Sequence, residues 1–510
     1  MNRRQFLRTT GGLGAAVGLG AGFWREALAA PAQPGPSPYG ELLAPDANGL
    51  RLPAGFTSRV VATSLLPVAG TTYLWHVFPD GGACVPTGDG GWIYVSNSEF
   101  PIPIDIPDVT GLLAALSANL LMLPGSPALP TRGGVSALRF DASGNVVDAY
   151  SILTGSLSNC AGGLTPWGTW LTCEEWESAG VTGYSAGLVW ECDPSGATAA
   201  VARPALGRFK HEMAACDPVR QQIYLTEDQT DGLLYRYTPA AGTWGSGAAL
   251  EGGTLEAMSV GAGDAVTWIR VADFMDPAAP TAALRSAVPG ATPFNGGEGA
   301  IYDDDCVFFT TKGDDRVWLY DLTAQTMTVL YASSDTIAPV LDGVDNIAVS
   351  QAHDIYVAED GGNLEVCVIT PDRAVFPIVQ MTGLQHGIDT GTPIPLESEV
   401  TGLAFSPDGN RLYFNSERGF GIGGLPIGPG PGILYEVTGP FRGGTLAAAA
   451  GAPAVPTGTG GGGTQPAGDP PASPRLPITG GEDRLLGAAA AALAGGALWH
   501  LRQRTRPDPT

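Results

Sequence analysis

Acidic residues recur at one kind of place in this chain. Six short stretches read as strands with an aromatic residue near the middle: GWIYVSNSE (Gly91–Glu99), GTWLTCEE (Gly168–Glu175), QQIYLTED (Gln221–Asp228), DCVFFTTK (Asp305–Lys312), HDIYVAED (His353–Asp360) and NRLYFNSE (Asn410–Glu417). Five of the six end in an acid. If these strands hold equivalent places in a repeated unit, Glu99, Glu175, Glu227, Glu359 and Glu417 share one mouth. Carboxylates crowded together repel and stay ionised only with cations among them. Hard oxygen ligands of this kind suit Ca²⁺, Mg²⁺ or Mn²⁺.

More polar groups lie between the strands. GRFKHE offers His211 and Glu212, FNGGEG offers Glu298 flanked by glycine, DGVDNIAV offers Asp345 and Asn346, and ESEVTGLAF offers Glu399. The densest stretch is NCAGGLTPWGTWLTCEEW (Asn159–Trp176), which holds Cys160, Cys173, Glu174 and Glu175. On local pattern alone Cys160 reads as a buried or disulfide cysteine, and Cys173 as core. The one G-x-S-x-G, GYSAG (Gly183–Gly187), is followed by the strand-like LVWECD. A nucleophile elbow needs a helix there, so GYSAG reads as a turn.

The elements that must position these groups follow from the repeat. Short apolar runs alternate with Gly/Pro/Asp turns, as in an all-β protein. Copies at intervals of roughly 50 to 85 residues indicate a repeat architecture, for which a six-bladed β-propeller with an axial metal site is the natural solution. One helix is expected at Val109–Leu123. Acids outnumber bases 50 to 26, and a net charge of −24 excludes a nucleic-acid partner. Seven cysteines carry no C-x-x-C pair, so zinc-ribbon and haem-attachment spacings are absent.

Both ends read as addresses. RRQFLR (Arg3–Arg8), a Gly/Ala/Leu run and ALA (Ala27–Ala29) form a twin-arginine signal peptide over residues 1–29. Its expected partner is the export machinery for folded proteins. After the body, 38–442, a Gly/Pro/Ala-rich spacer (444–475) lacks the large apolar residues a core requires. LPITG, the apolar run 485–501 and the arginines at 502, 504 and 506 then resemble an LPXTG-type sorting signal (476–506). That resemblance implies sortase and cell-wall peptidoglycan as partners and a body held at the cell surface.

Taken together, NCAGGLTPWGTWLTCEEW, GRFKHE, VDNIAV…YVAEDGG and SEVTGLAFSPDGNRLYFN resemble the PhoX-type alkaline phosphatases, over about Pro53 to Gly432. The resemblance implies a six-bladed propeller whose axial Ca²⁺ and Fe³⁺ ions hydrolyse phosphate monoesters. It places Cys160 as an iron ligand and Glu175, Glu212 and Glu298 as metal-binding acids, with Glu174 and Glu359 beside them; Cys160, Glu175 and Glu298 would stand at the catalytic centre. Glu99 and Asp345 complete the expected ligand set, and Arg418 and His211 are the expected substrate-binding residues. Three departures stand out. Gly296 occupies the place of an arginine that grips phosphate in such enzymes, NSE (Asn97–Glu99) replaces N-H-E, and FNSERGF replaces a glutamine-and-proline run. They leave two alternatives open: another metal-dependent hydrolase, such as a phosphodiesterase or lactonase, or a non-catalytic calcium-stabilised propeller.

Overall fold

The computed structural model describes residue 24 and residues 31–99, 133–176, 187–275, 282–386, 398–422, 425–430 and 432–446. The expected helix at Val109–Leu123, most of the GYSAG turn, most of the signal peptide, the spacer beyond residue 446 and the sorting signal lie outside these residues. No helix among the described residues is long and apolar enough to cross a membrane.

Six sheets, antiparallel except for one short edge pairing, surround one axis, and each begins at the axis and runs outward. The innermost strands are Pro79–Pro86, Asn159–Leu164, His211–Asp217, Gly297–Asp303, Val344–Val349 and Val400–Phe405, and each packs on the next until the sixth meets the first. The second strands are Trp92–Ser98, Trp170–Glu174, Gln222–Glu227, Cys306–Thr311, Ile355–Glu359 and Arg411–Ser416. These are the six repeated stretches of the sequence, so the fold is the all-β six-bladed propeller that the repeat predicts.

The ring is closed by mixing the two ends of the chain. Thr57–Thr63 pairs with Ile433–Thr438 as the outer strand of the sixth blade. An N-terminal strand thereby seals a sheet made otherwise of C-terminal strands. Gln33–Pro34 and Leu50–Arg51 also add to the outer strand of the fifth blade, Ala374–Met381. Trp24 is 1 % exposed and sits edge-on to Phe308, with ring centroids 5.0 Å apart. Large apolar residues fill the space between blades, as in the cluster of Tyr356, Val366, Val368, Leu412, Phe414 and Tyr435 between the fifth and sixth. All seven cysteines are unbridged.

One irregularity repeats in every blade. The pairing of first with second strand slips at Pro79/Gly82, Asn159/Gly162, His211/Ala214, Gly297/Ala300, Val344/Ile347 and Thr401/Ala404. A bulge adds a residue to one strand and re-aims the side chains next to it. Here it falls where the inner strand passes the axis, so all six blades turn a side chain inward at the same level.

Candidate metal centre

Two rings of side chains result. The residue that follows the first pair in each inner strand gives Asp80, Cys160, Glu212, Glu298, Asp345 and Thr401. The residue just after each second strand, or one beyond its last pair, gives Glu99, Glu175, Asp228, Lys312, Asp360 and Glu417. Glu399 joins them from the start of the sixth blade, where Arg418 Nη1 reaches its Oε1 at 2.7 Å.

The ligand atoms fall into overlapping groups, in each of which they lie within 4.8 Å of one another. Asp80, Glu99 and Cys160 form one, Cys160, Glu175 and Glu212 a second, Glu212, Glu298 and Asp345 a third, and Glu99, Glu399 and Glu417 a fourth. Cys160, Glu212 and Glu99 each belong to two groups, so the four make a continuous path around the axis. All of these residues are buried. The Cys160 thiol donates to Glu175 Oε2 at 3.1 Å.

Among the described residues, three cations sit among the acids. Lys210 Nζ contacts Glu175 and lies 3.1 Å from Asp228 Oδ2. Lys312 Nζ is 2.9 Å from Glu298 Oε1 and 3.5 Å from Asp360 Oδ2, and Arg418 bridges Glu399 and Glu417. They do not balance the charge. Burial first, then Glu399 and Glu175, push the Glu99 carboxyl well up. Burial with Glu99 and Asp345 does the same to Asp80, and burial with Glu212 and Glu99 raises the Cys160 thiol. Burial lifts Glu175, Asp345 and Glu399 to about 7 even against the pull of Lys210, Lys312 and Arg418 respectively. Asp228 is held low: burial would raise it, but Lys210 and Lys312 outweigh that.

The donor set fits hard cations plus one that accepts sulfur. Asp80 Oδ1 is buried with no hydrogen-bond donor among the described residues, and the carboxylates converge without the positive charge that would let them ionise together. A thiolate among oxygens favours a transition metal next to Cys160, and the all-oxygen groups favour Ca²⁺.

The backbone of the inner ring is clasped from the preceding blade. Asn97 Nδ2 donates to the carbonyls of Cys160 and Ala161 at 2.6 and 2.8 Å, and Trp170 Nε1 donates to Asn97 Oδ1 at 2.9 Å. Asn415 Nδ2 donates to the Asp80 carbonyl at 3.1 Å, Thr310 Oγ1 to that of Asp345 at 2.6 Å, and Thr226 Oγ1 to that of Glu298. Each of these four stands two residues before its blade's outer-ring position. Trp170 thus serves the site through Asn97, whereas Trp167 donates to Glu191 Oε1 at 2.8 Å on the blade's periphery.

Several expected site residues converge and others do not. Glu99, Cys160, Glu175, Glu212, Glu298 and Asp345 meet at the axis as expected, and Arg418 enters the same mouth. Glu174, Glu227 and Glu359 do not belong to either ring. They stand one residue earlier on the strand, and alternation turns them to the other face. Glu174 accepts from the Leu157 and Leu188 N–H groups and from Trp190 Nε1, at 3.2, 3.1 and 3.1 Å. Glu227 accepts from Leu233 N–H, Tyr235 OH and Arg285. Glu359 accepts from Asp342 and Glu365 N–H at 3.0 and 2.9 Å, in a separate buried group with Glu365 and Cys367 whose ligand atoms lie close enough to hold a metal ion of their own. These three tie down their own blades. His211 is also corrected: it is fully buried against Phe209 with Nε2 facing the Gly207 carbonyl at 3.2 Å, so it cannot meet a substrate from solvent. Asp80, Asp228, Asp360, Lys210 and Lys312 are site residues the sequence reading did not single out.

The chain is similar to known proteins in sequence and in fold. The model of the family "Alkaline phosphatase PhoX" matches residues 133–418, and that of the twin-arginine translocation signal matches residues 1–20. The structure of Pseudomonas fluorescens PhoX in complex with vanadate, a transition state analogue, superposes with a TM-score of 0.58 at 17% identity, over 80% of this chain and 98% of that one. A Bacteroides thetaiotaomicron protein of unknown function gives a TM-score of 0.41 at 9% identity, over 75% and 76% of the two chains. No curated protein matches. The six-bladed fold is shared with the Pseudomonas enzyme, and with the family model spanning more than half its length, from the first blade to the sixth, this chain belongs to the PhoX alkaline phosphatase family.

Proposed function

We propose that the chain is an exported, metal-dependent phosphatase that hydrolyses phosphate monoesters at the axial site and is held at the cell surface by its C-terminal sorting signal. The observation that carries the reading is the continuous path of overlapping ligand groups through Glu99, Cys160 and Glu212. Family membership supports phosphatase chemistry, and the export signal suits a substrate found outside the cytoplasm.

Cys160, Glu175 and Glu212 would hold a ferric ion, and the oxygen-only groups, including Glu298, Asp345, Glu99 and Asp80, would hold calcium. When bound, such ions supply Lewis acidity toward phosphate oxygens and toward an oxygen nucleophile. The chain's own part is to fix this arrangement. Buried inner strands set the ligand positions, Asn97, Asn415, Thr226 and Thr310 hold their backbones, and low solvent access strengthens each charge interaction. Lys210 neutralises part of the charge on Glu175 and Asp228, and Arg418 does the same for Glu399 and Glu417.

A non-catalytic propeller is the second reading, favoured by Gly296, which leaves no side chain where a phosphate-gripping arginine would stand. Cys160 weighs against it, since a purely structural calcium site has no use for a thiolate. Metal analysis combined with hydrolysis of a chromogenic phosphomonoester separates the two. Iron with calcium and chelator-sensitive turnover are expected; calcium alone with no turnover would support the second reading.

A further inference from the structure

Of the six equivalent outer-ring positions, five carry a carboxylate and the fourth blade alone carries a cation, Lys312. Its ammonium has three donors, and two acids, Glu298 and Asp360, draw on them. Its side chain is 25% exposed while Glu298 beneath it is 2% exposed. Lys210 and Arg418 are 10% and 12% exposed, so Lys312 is the most open of the three cations in the mouth. Next to it, Gly296 contributes no side chain. Gly296 adopts φ +68°, and a Cβ there would lie 3.3 Å from Asp228 Oδ1, 3.3 Å from Gly313 N and 3.8 Å from Lys312 Cβ. No side chain from position 296 covers the lysine.

An anionic substrate approaching these rings meets a concentration of carboxylates on a chain of net charge −24. It needs a fixed positive group at the solvent edge. From this arrangement we propose that Lys312 is the phosphate-binding residue of the axial site, receiving the phosphate of the incoming ester from the solvent side. The inference rests on the phosphatase reading above. Cations held by Glu298 would loosen that acid's grip on Lys312 and free a donor for phosphate.

The test uses the full chain loaded with calcium and iron, and titrates inorganic phosphate by calorimetry, with metal content measured on the same samples. K312M, and K312Q as a second neutral variant should the first not fold, are expected to weaken phosphate binding roughly tenfold or more, the scale of one lost charge-assisted hydrogen bond. Metal content per chain should stay unchanged, and K312R should restore most of the affinity. Wild-type affinity in K312M or K312Q would overturn the proposal. So would a gain of one divalent cation with phosphate affinity retained, which would make Lys312 a stand-in for a metal ion. If the loaded wild-type chain bound no phosphate, the phosphatase reading itself would fall, and the Lys312 proposal with it.

Discussion

Glu174 and Glu175 are adjacent, both buried and both acidic, yet they do different jobs. Glu175 lies beside Cys160 and Lys210 in the axial path, whereas Glu174 accepts two N–H groups from its own blade and one from the link that leads into it. The difference comes from the two-residue period of a strand, which sends neighbours to opposite faces. Glu175→Gln removes a ligand charge and is expected to abolish turnover and lower metal content. Glu174→Gln sets an NH₂ group against donors; metal content should be kept while stability falls by about 1–3 kcal/mol. Denaturant titration and metal analysis of both variants check this. That acids close most of the repeated strands was legible in the sequence, but the face each one takes was not. In the E-E and E-D pairs of blades two, three and five either residue could have pointed inward, and only the inter-strand register decides. Asp80 was missed for a different reason: it is followed by Gly81 and Gly82, which look like a turn but let the inner strands approach each other, with a Cβ on Gly81 only 2.4 Å from Ala161 Cα.

The inner strands are the elements on which the site depends, and glycine makes their spacing possible. A Cβ on Gly163 would lie 1.8 Å from the Ala214 carbonyl of the next blade, and one on Gly162 would lie 1.9 Å from Leu171 O. Both are strand residues: Gly163 lies at the contact with the next blade, and Gly162 packs against the second strand of its own blade. Gly163→Ala should therefore cost about 1–3 kcal/mol through overpacking and disturb Cys160, three residues away; chemical denaturation and loss of iron report the two effects. The N-terminal elements add a second dependence. Trp24 lies within residues 1–29, read as a signal peptide, yet it is packed against Phe308. In the unprocessed chain Trp24→Ala should cost about 3–5 kcal/mol, visible as a lower melting temperature. The repeat made the six second strands readable. The sealing strand Thr57–Thr63 carries no copy of that motif, so its place in the sixth blade emerges only from the pairing.

At the scale of the whole molecule the axial charge couples stability to pH and to metal. An unfolded chain gives up carboxyl protons near pH 4, whereas the folded, metal-free protein holds those of Glu175, Asp345 and Glu399 up to about pH 7, mainly through burial. Between these values the folded state binds more protons, so its stability falls as pH rises through the window. Metal-free protein should melt at a lower temperature at pH 8 than at pH 5, and calcium should raise the pH 8 value by mass action. A melting temperature independent of pH without metal would argue against a buried, cation-hungry acid ring. The same coupling fits export of a folded chain through the twin-arginine route, since a site completed before export carries its cations with it.

The most direct test of the central claim, that the axial rings form a catalytic metal centre, is elemental analysis of the exported chain alongside phosphomonoester hydrolysis, for wild type and Glu175→Gln. The account predicts iron and calcium in the wild type, turnover that a chelator removes, and loss of both iron and turnover in the variant. Turnover that survives Glu175→Gln, or a wild type that folds and works without bound metal, would contradict it.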